Sequence, residues 1–246
     1  MNILARLRQL VTRTPKLVAP WLGVTLDALS WSADMPLRLP DESKVPLLTR
    51  THNDGDSDSA MRILSLLGAG HQVLSVIPFG RGYGPIGLGM ALQLDDAPDA
   101  QSPAVSPEHY GETFRLTMAA LRTTLPASIP IVTAGFSINA SVEWMQCALM
   151  AGAGDADAVC FHVGRPYDLL TSYQGRLTAV TKALARAGSG VKPLWITDVD
   201  LTTATPTSLD ELLRESSLSL IARVYLSAPS ASMLDVITAA QQRRRR

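Results

Sequence analysis

Apolar residues in this chain gather into short runs, and between most of these runs they return every three or four positions. The runs are Trp21 to Leu26, Val45 to Thr51, Gln72 to Ile77, Met90 to Leu94, Ile129 to Thr133, Asp157 to His162, Leu194 to Ile196 and Leu220 to Leu226. Their near-continuous apolar character, with β-branched and aromatic members, predicts strands buried on both faces. Helical spacing predicts helices over residues 59–67, 108–125, 142–150, 170–187, 209–215 and 233–242. The breaks between them carry matching signals. Ser57 or Asp58 is placed to cap one helix, Pro107 and Glu108 to open another, and Gly68 and Gly188 to end two. Strands alternating with helices predict an α/β protein with a parallel sheet, and eight such strands in 246 residues match a single (β/α)8 barrel. Residues 30–44 hold Pro36 and Pro40 and show no helical period, so the first βα unit is expected to be short. Ahead of the barrel, Ile3, Leu4, Leu7, Leu10 and Val11 lie at helical spacing. The expected division is a basic N-terminal helix over 1–20, the barrel over 21–242 and a basic tail over 243–246.

The polar residues that end these runs carry the chemistry. Leu194-Trp195-Ile196 leads into Thr197, Asp198 and Asp200. Met90 to Leu94 leads into Asp95, Asp96 and Asp99. In a (β/α)8 barrel the catalytic groups sit on strand ends and the loops after them, so these acids would share one mouth. A carboxylate on each side of a scissile bond is what glycoside hydrolysis requires. The second run ends in Arg50, His52 and Asn53, and the sixth in His162. Gly80 to Gly87 after the third run is rich in glycine, with Arg81 and Tyr83 as sugar contacts, and it matches no phosphate-loop or dinucleotide pattern. Tyr167 after the sixth run and Tyr225 on the eighth complete the expected ligand contacts, with Asp95, Asp200, Arg50, His52 and His162.

These motifs resemble those of clan-A glycoside hydrolases. Leu92 to Asp99 resembles the strand-four motif that ends in Asn-Glu-Pro, and Pro193 to Asp200 resembles the strand-seven motif that ends in Thr-Glu. Ile131 to Ser137 and Asp157 to His162 resemble strands five and six, the latter typically ending in a His. The resemblance spans roughly residues 45 to 228. It implies Asp96 as acid/base, Asp198 as nucleophile or base, Arg50 as the group that positions the nucleophile, and a β-linked oligo- or polysaccharide as substrate. The sequence departs from the family where it matters most. Asp95 stands in the place of Asn, and Asp96 and Asp198 stand in the places of the two catalytic Glu residues. Two shorter side chains widen the carboxyl gap, toward the roughly 6.5–9.5 Å of an inverting enzyme. The same departures fit a degenerate barrel that binds saccharide or serves as a protein-interaction subunit in a polysaccharide-handling assembly.

Composition narrows the classes. Lys and Arg equal Asp and Glu in number, so no global field favours nucleic acid. Arg6, Arg8, Arg13, Lys16 and Arg243 to Arg246 concentrate positive charge at the two ends, where a membrane surface or an acidic protein partner is the expected contact. Cys147 and Cys160 are too few for a disulfide framework and fit a reduced, cytoplasmic setting. No Cys and His spacing suggests a metal site, and no cofactor is expected. Lys44 and Lys192 precede strands rather than end them, which argues against Schiff-base chemistry.

Overall fold

A computed structural model of the chain describes residues 22–26, 48–52, 57–68, 72–79, 91–164 and 168–227, with Met233, Val236, Ile237, Ala239 and Ala240. The expected N-terminal helix, the basic tail, the segment 27–47 and the glycine-rich loop lie outside the described residues. The strands are β1 (Leu22–Leu26), β2 (Leu48–His52), β3 (Gln72–Ile77), β4 (Ala91–Leu94), β5 (Ile131–Phe136), β6 (Ala158–Val163), β7 (Leu194–Val199) and β8 (Ile221–Ser227). All pair in parallel in chain order, and β1 also pairs with β8, which closes the barrel. The described helices are α1 (Ser57–Gly68), α2 (Pro107–Arg122), α3 (Val142–Met150), α4 (Leu169–Ala187) and α5 (Pro206–Ser217).

Local chemistry sets the helix ends. Ser106 Oγ accepts the His109 N–H at 3.2 Å, Ser141 Oγ that of Trp144 at 3.0 Å, and Asp168 Oδ1 that of Thr171 at 3.0 Å. Each satisfies an amide that the first helical turn leaves without a partner. Gly188 ends α4 at φ 66°, in the left-handed region where a glycine carries no steric cost. Several ends differ from the expectation, among them the end of α2, at Arg122 instead of Leu125. Pro206 opens α5 three residues before Leu209, because Thr205 and Ser208 cap each other's backbone. Ser57 and Asp58 lie inside the first turn of α1 instead of ahead of it.

Two apolar layers result. The larger lies between the sheet and the helices, with Phe114, Phe136, Phe161 and Leu212 among its fully buried members. The smaller fills the barrel itself with Leu74, Ala91, Val132, Ala158, Cys160, Trp195 and Tyr225. Tyr110 of α2 joins the outer layer to the sheet. Its hydroxyl donates to the Leu94 carbonyl at 3.3 Å and accepts the Ala134 N–H at 2.7 Å. The β4–β5 register runs only through Leu92↔Ile131 and Gln93↔Val132, so Tyr110 straps these strands just where their ladder ends. The rings of Phe79, Phe114, Phe136 and Trp144 surround it at 5.6–6.2 Å between centroids. The strap holds the C-terminal end of β4, from which the acids project.

Candidate functional site

Above the apolar filling, the inward alternation of the strands continues in polar residues: Thr25 on β1, Arg50 on β2, Gln93 on β4, His162 on β6 and Thr197 on β7. Register places Arg50 beside Thr25 and Leu74. At β3 the ring is apolar, with Val76 beside His52.

Asp96 is the centre of this layer. Its Oδ1 lies 2.6 Å from Arg50 Nη2 and 3.2 Å from His162 Nε2, and it accepts a hydrogen bond from Gln93 Nε2 at 2.9 Å. Gln93 is wholly buried and ties the group together. Its Oε1 accepts from Arg50 Nε at 3.2 Å, and its amide also donates to the Asp95 carbonyl at 2.9 Å. Burial pushes the Asp96 carboxyl up, but the Arg50 guanidinium and His162 outweigh it and hold the group far below the usual carboxylate range. Asp96 is therefore an anion at any physiological pH. Gln93 hydrogen-bonds Oδ1, and Arg50 and His162 hold the same oxygen through close charge contacts. The carboxylate is held at this oxygen and keeps 24% of its side chain exposed.

The backbone around Asp96 is bent to aim it. Asp95 at φ 69° and Ala97 at φ 44° both occupy the left-handed region. Asp adopts it more readily than most residues, whereas Ala does so at a cost of about 1–2 kcal/mol. Local strain of this kind collects at functional sites. Asp95 is 6% exposed, and its Oδ1 accepts the Asp96 N–H at 2.8 Å and Gln101 Nε2 at 3.1 Å. It builds the turn. Burial raises its pKa, and the adjacent Asp96 charge adds to the rise against those two hydrogen bonds.

The second acid owes its direction to a bulge. Along β6 and β7, Phe161 pairs with Ile196, but the next residue, His162, pairs with Asp198. Thr197 is the extra residue, so Asp198 comes opposite the inward His162 instead of following strict alternation. Asp198 Oδ1 accepts a short hydrogen bond from Ser227 Oγ at the end of β8. β7 runs on to Val199, so Asp198 lies within the strand and not beyond it.

The remaining expected residues fall in three places. Asp200 turns to its own loop, where Oδ1 accepts from the Thr202 N–H at 3.0 Å and from its hydroxyl at 2.6 Å. Tyr225 lies in the barrel filling below the polar layer, fully buried, and burial raises its pKa. His52 ends β2 at the mouth, partly exposed. Tyr83 and Tyr167, with Arg81 and Arg165, are outside the described residues. Gln93, Gln101, Gly135 and Ser227 were not among the residues the sequence pointed to. Gln93 did leave a signal: a polar residue two positions before Asp95, in an otherwise apolar strand, shares its face. Among the described residues no cluster of His, Cys, Asp and Glu is arranged to hold a metal ion, and no helix is long and apolar enough to cross a membrane.

A closed barrel of eight parallel strands with helices between them is the (β/α)8 fold. The chain is similar in structure to the glycoside hydrolase family 30 subfamily 8 xylanase Xyn30A from Clostridium acetobutylicum. The two share 11% sequence identity at a TM-score of 0.57, over 91% of this chain and 71% of that one. It also aligns with the Clostridial cellulose synthase subunit Z from Clostridioides difficile, at 10% identity and a TM-score of 0.45, over 88% of this chain and 98% of the other. No protein-family profile and no curated protein sequence matches the chain.

Proposed function

We propose that this barrel binds a β-linked saccharide at the mouth formed by β2, β4, β6, β7 and β8, and that Asp96 serves there as a fixed acceptor for a sugar hydroxyl. The observation that carries the reading is the triple anchoring of Asp96 Oδ1 by Arg50, Gln93 and His162. A general acid must hold a proton at the working pH, and its pKa is normally raised to do so. Asp96 is shifted the other way. An ionised carboxylate locked in place is unsuited to protonating a leaving oxygen and well suited to accepting a hydrogen bond. Asp198, held by Ser227, is the second acceptor. This favours a barrel whose acid/base position has lost its catalytic role over an active hydrolase.

Titration calorimetry with a panel of β-linked gluco- and xylo-oligosaccharides tests the proposal, run beside a reducing-end assay for turnover. A hydrogen bond to a charged group contributes about 1.5–3 kcal/mol, so Asp96→Asn or Asp198→Asn should weaken binding by roughly 10- to 100-fold. Wild type should release no new reducing ends. Turnover that Asp96→Asn abolishes would restore the hydrolase reading, and no binding across the panel would sink both.

A further inference from the structure

We propose that Gly135 is a positioning residue of this mouth: by having no side chain it lets His162 reach from β6 across β5 to Asp96 beyond β4. Neighbouring strands lie about 4.8 Å apart, so a β6 side chain that meets a residue at the end of β4 must pass over the β5 residue between them. Gly135 is that residue. It pairs with Cys160 of the barrel filling and so faces inward. A Cβ built there would stand 2.0 Å from His162 Nε2 and 2.6 Å from Thr197 Oγ1. Nε2 is the same atom that lies 3.2 Å from Asp96 Oδ1. The φ of Gly135 is outside the left-handed region, so glycine is not required there for its backbone. It is required for space. By contrast, a Cβ at Gly175 of α4 would meet nothing within 4 Å.

A methyl group at 135 would lift the imidazole by about 1 Å or more, since carbon atoms do not approach a nitrogen much closer than van der Waals contact. The backbone of His162 is fixed by its pairing with Asp198 of β7, so the imidazole and not the strand must give way. Position 135 therefore acts on Asp96 through His162. The purpose of the arrangement rests on the saccharide-binding reading, but the test uses no saccharide, so the two can fail separately.

The experiment follows the Asp96 carboxyl by carbon-detected NMR across the acid range in wild type, Gly135→Ala, His162→Ala and the double variant, with Asp96→Asn to assign the signal. Removing an opposing or donating neighbour raises a carboxylate pKa by about 1 unit or more. Gly135→Ala and His162→Ala should each raise the Asp96 midpoint by about that much, and the double variant should match His162→Ala alone. Melting temperature supplies the second readout. Gly135→Ala should melt below wild type, and its added penalty should shrink in the His162→Ala background, where only the Thr197 hydroxyl still crowds the methyl. An unmoved Asp96 midpoint in Gly135→Ala, or additive effects in the double variant, would overturn the proposal. If Gly135→Ala alone fails to fold, the double variant still decides it: a double variant that folds supports the inference, and one that also fails to fold rejects it.

Discussion

Arg50 is the most informative single residue to remove. It is 3% exposed, its guanidinium lies 2.6 Å from Asp96, and its Nε bonds Gln93. Arg50→Met keeps much of the stem and deletes the charge. Removing one member of a buried ion pair typically costs about 3–5 kcal/mol, because the other charge is left buried. Here Asp96 keeps Gln93 and His162 and has 24% of its side chain exposed, which points to the low end, about 3 kcal/mol. For a chain of this length that corresponds to a fall of roughly 6–12 °C in Tm. The sign with pH follows from the depressed carboxyl. A folded pKa below the unfolded value of about 3.9 contributes stability above that pH and loses it as pH falls toward the folded pKa. The Arg50→Met deficit should therefore be full at pH 7 and shrink below about pH 4, where wild type begins to lose what the variant never had. Urea unfolding at pH 7 and near pH 3.5, on wild type, Arg50→Met, Asp96→Asn and the double variant, measures both features. In the double variant the cost of Arg50→Met should fall, since no carboxylate is stranded. A deficit under about 1 kcal/mol at neutral pH, or one of equal size at both pH values, would refute the electrostatic account of the site.

Two glycines inside helices should behave oppositely. Gly175→Ala, in open space inside α4, should stabilise by up to about 1 kcal/mol, while Gly111→Ala, whose Cβ would stand 2.4 Å from the Ala148 carbonyl oxygen, should cost about 1–3 kcal/mol. Urea midpoints of the pair check the close crossing of α2 and α3, and equal midpoints would contradict it. Tyr225→Phe removes a fully buried hydroxyl that, among the described residues, has only a poorly aligned contact with Arg223. It should leave stability unchanged or raise it by up to about 1 kcal/mol, and a loss of more than that would show that the hydroxyl is bonded.

Much of the architecture was legible from pattern alone. Near-continuous apolar runs and helical spacing encode local structure, and their alternation leaves few topologies for a chain of this length. All eight expected strands appear in order, with ends shifted by a few residues, most at β7 and β5, where strands run further than the apolar run suggested. The start of α2 was readable from Pro107 and Glu108, since helix-end signals act within a few residues, whereas the cap expected at Ser57 or Asp58 fell inside α1. The start of α5 was not readable, because Thr205 and Ser208 resemble ordinary loop residues until the reciprocal bond forms.

The site divides along the same line. The sequence alone determined which strand ends bear acids, that Arg50 and His162 lie on two other strands, and that Asp stands at both positions where the resembled motifs carry Glu. It could not determine what those acids do. That depends on contacts between strands far apart in the chain, and only closing the barrel creates them. Tertiary structure decided that Asp96 is held as an anion by Arg50 and His162, that Asp95 is buried in a turn, and that a one-residue bulge directs Asp198 toward Ser227. It also decided that a glycine on β5 leaves the path open. The physical reason is that a strand's residue pattern is local, whereas the charge state of a carboxyl is set by everything within a few ångströms of it, whatever the distance along the chain.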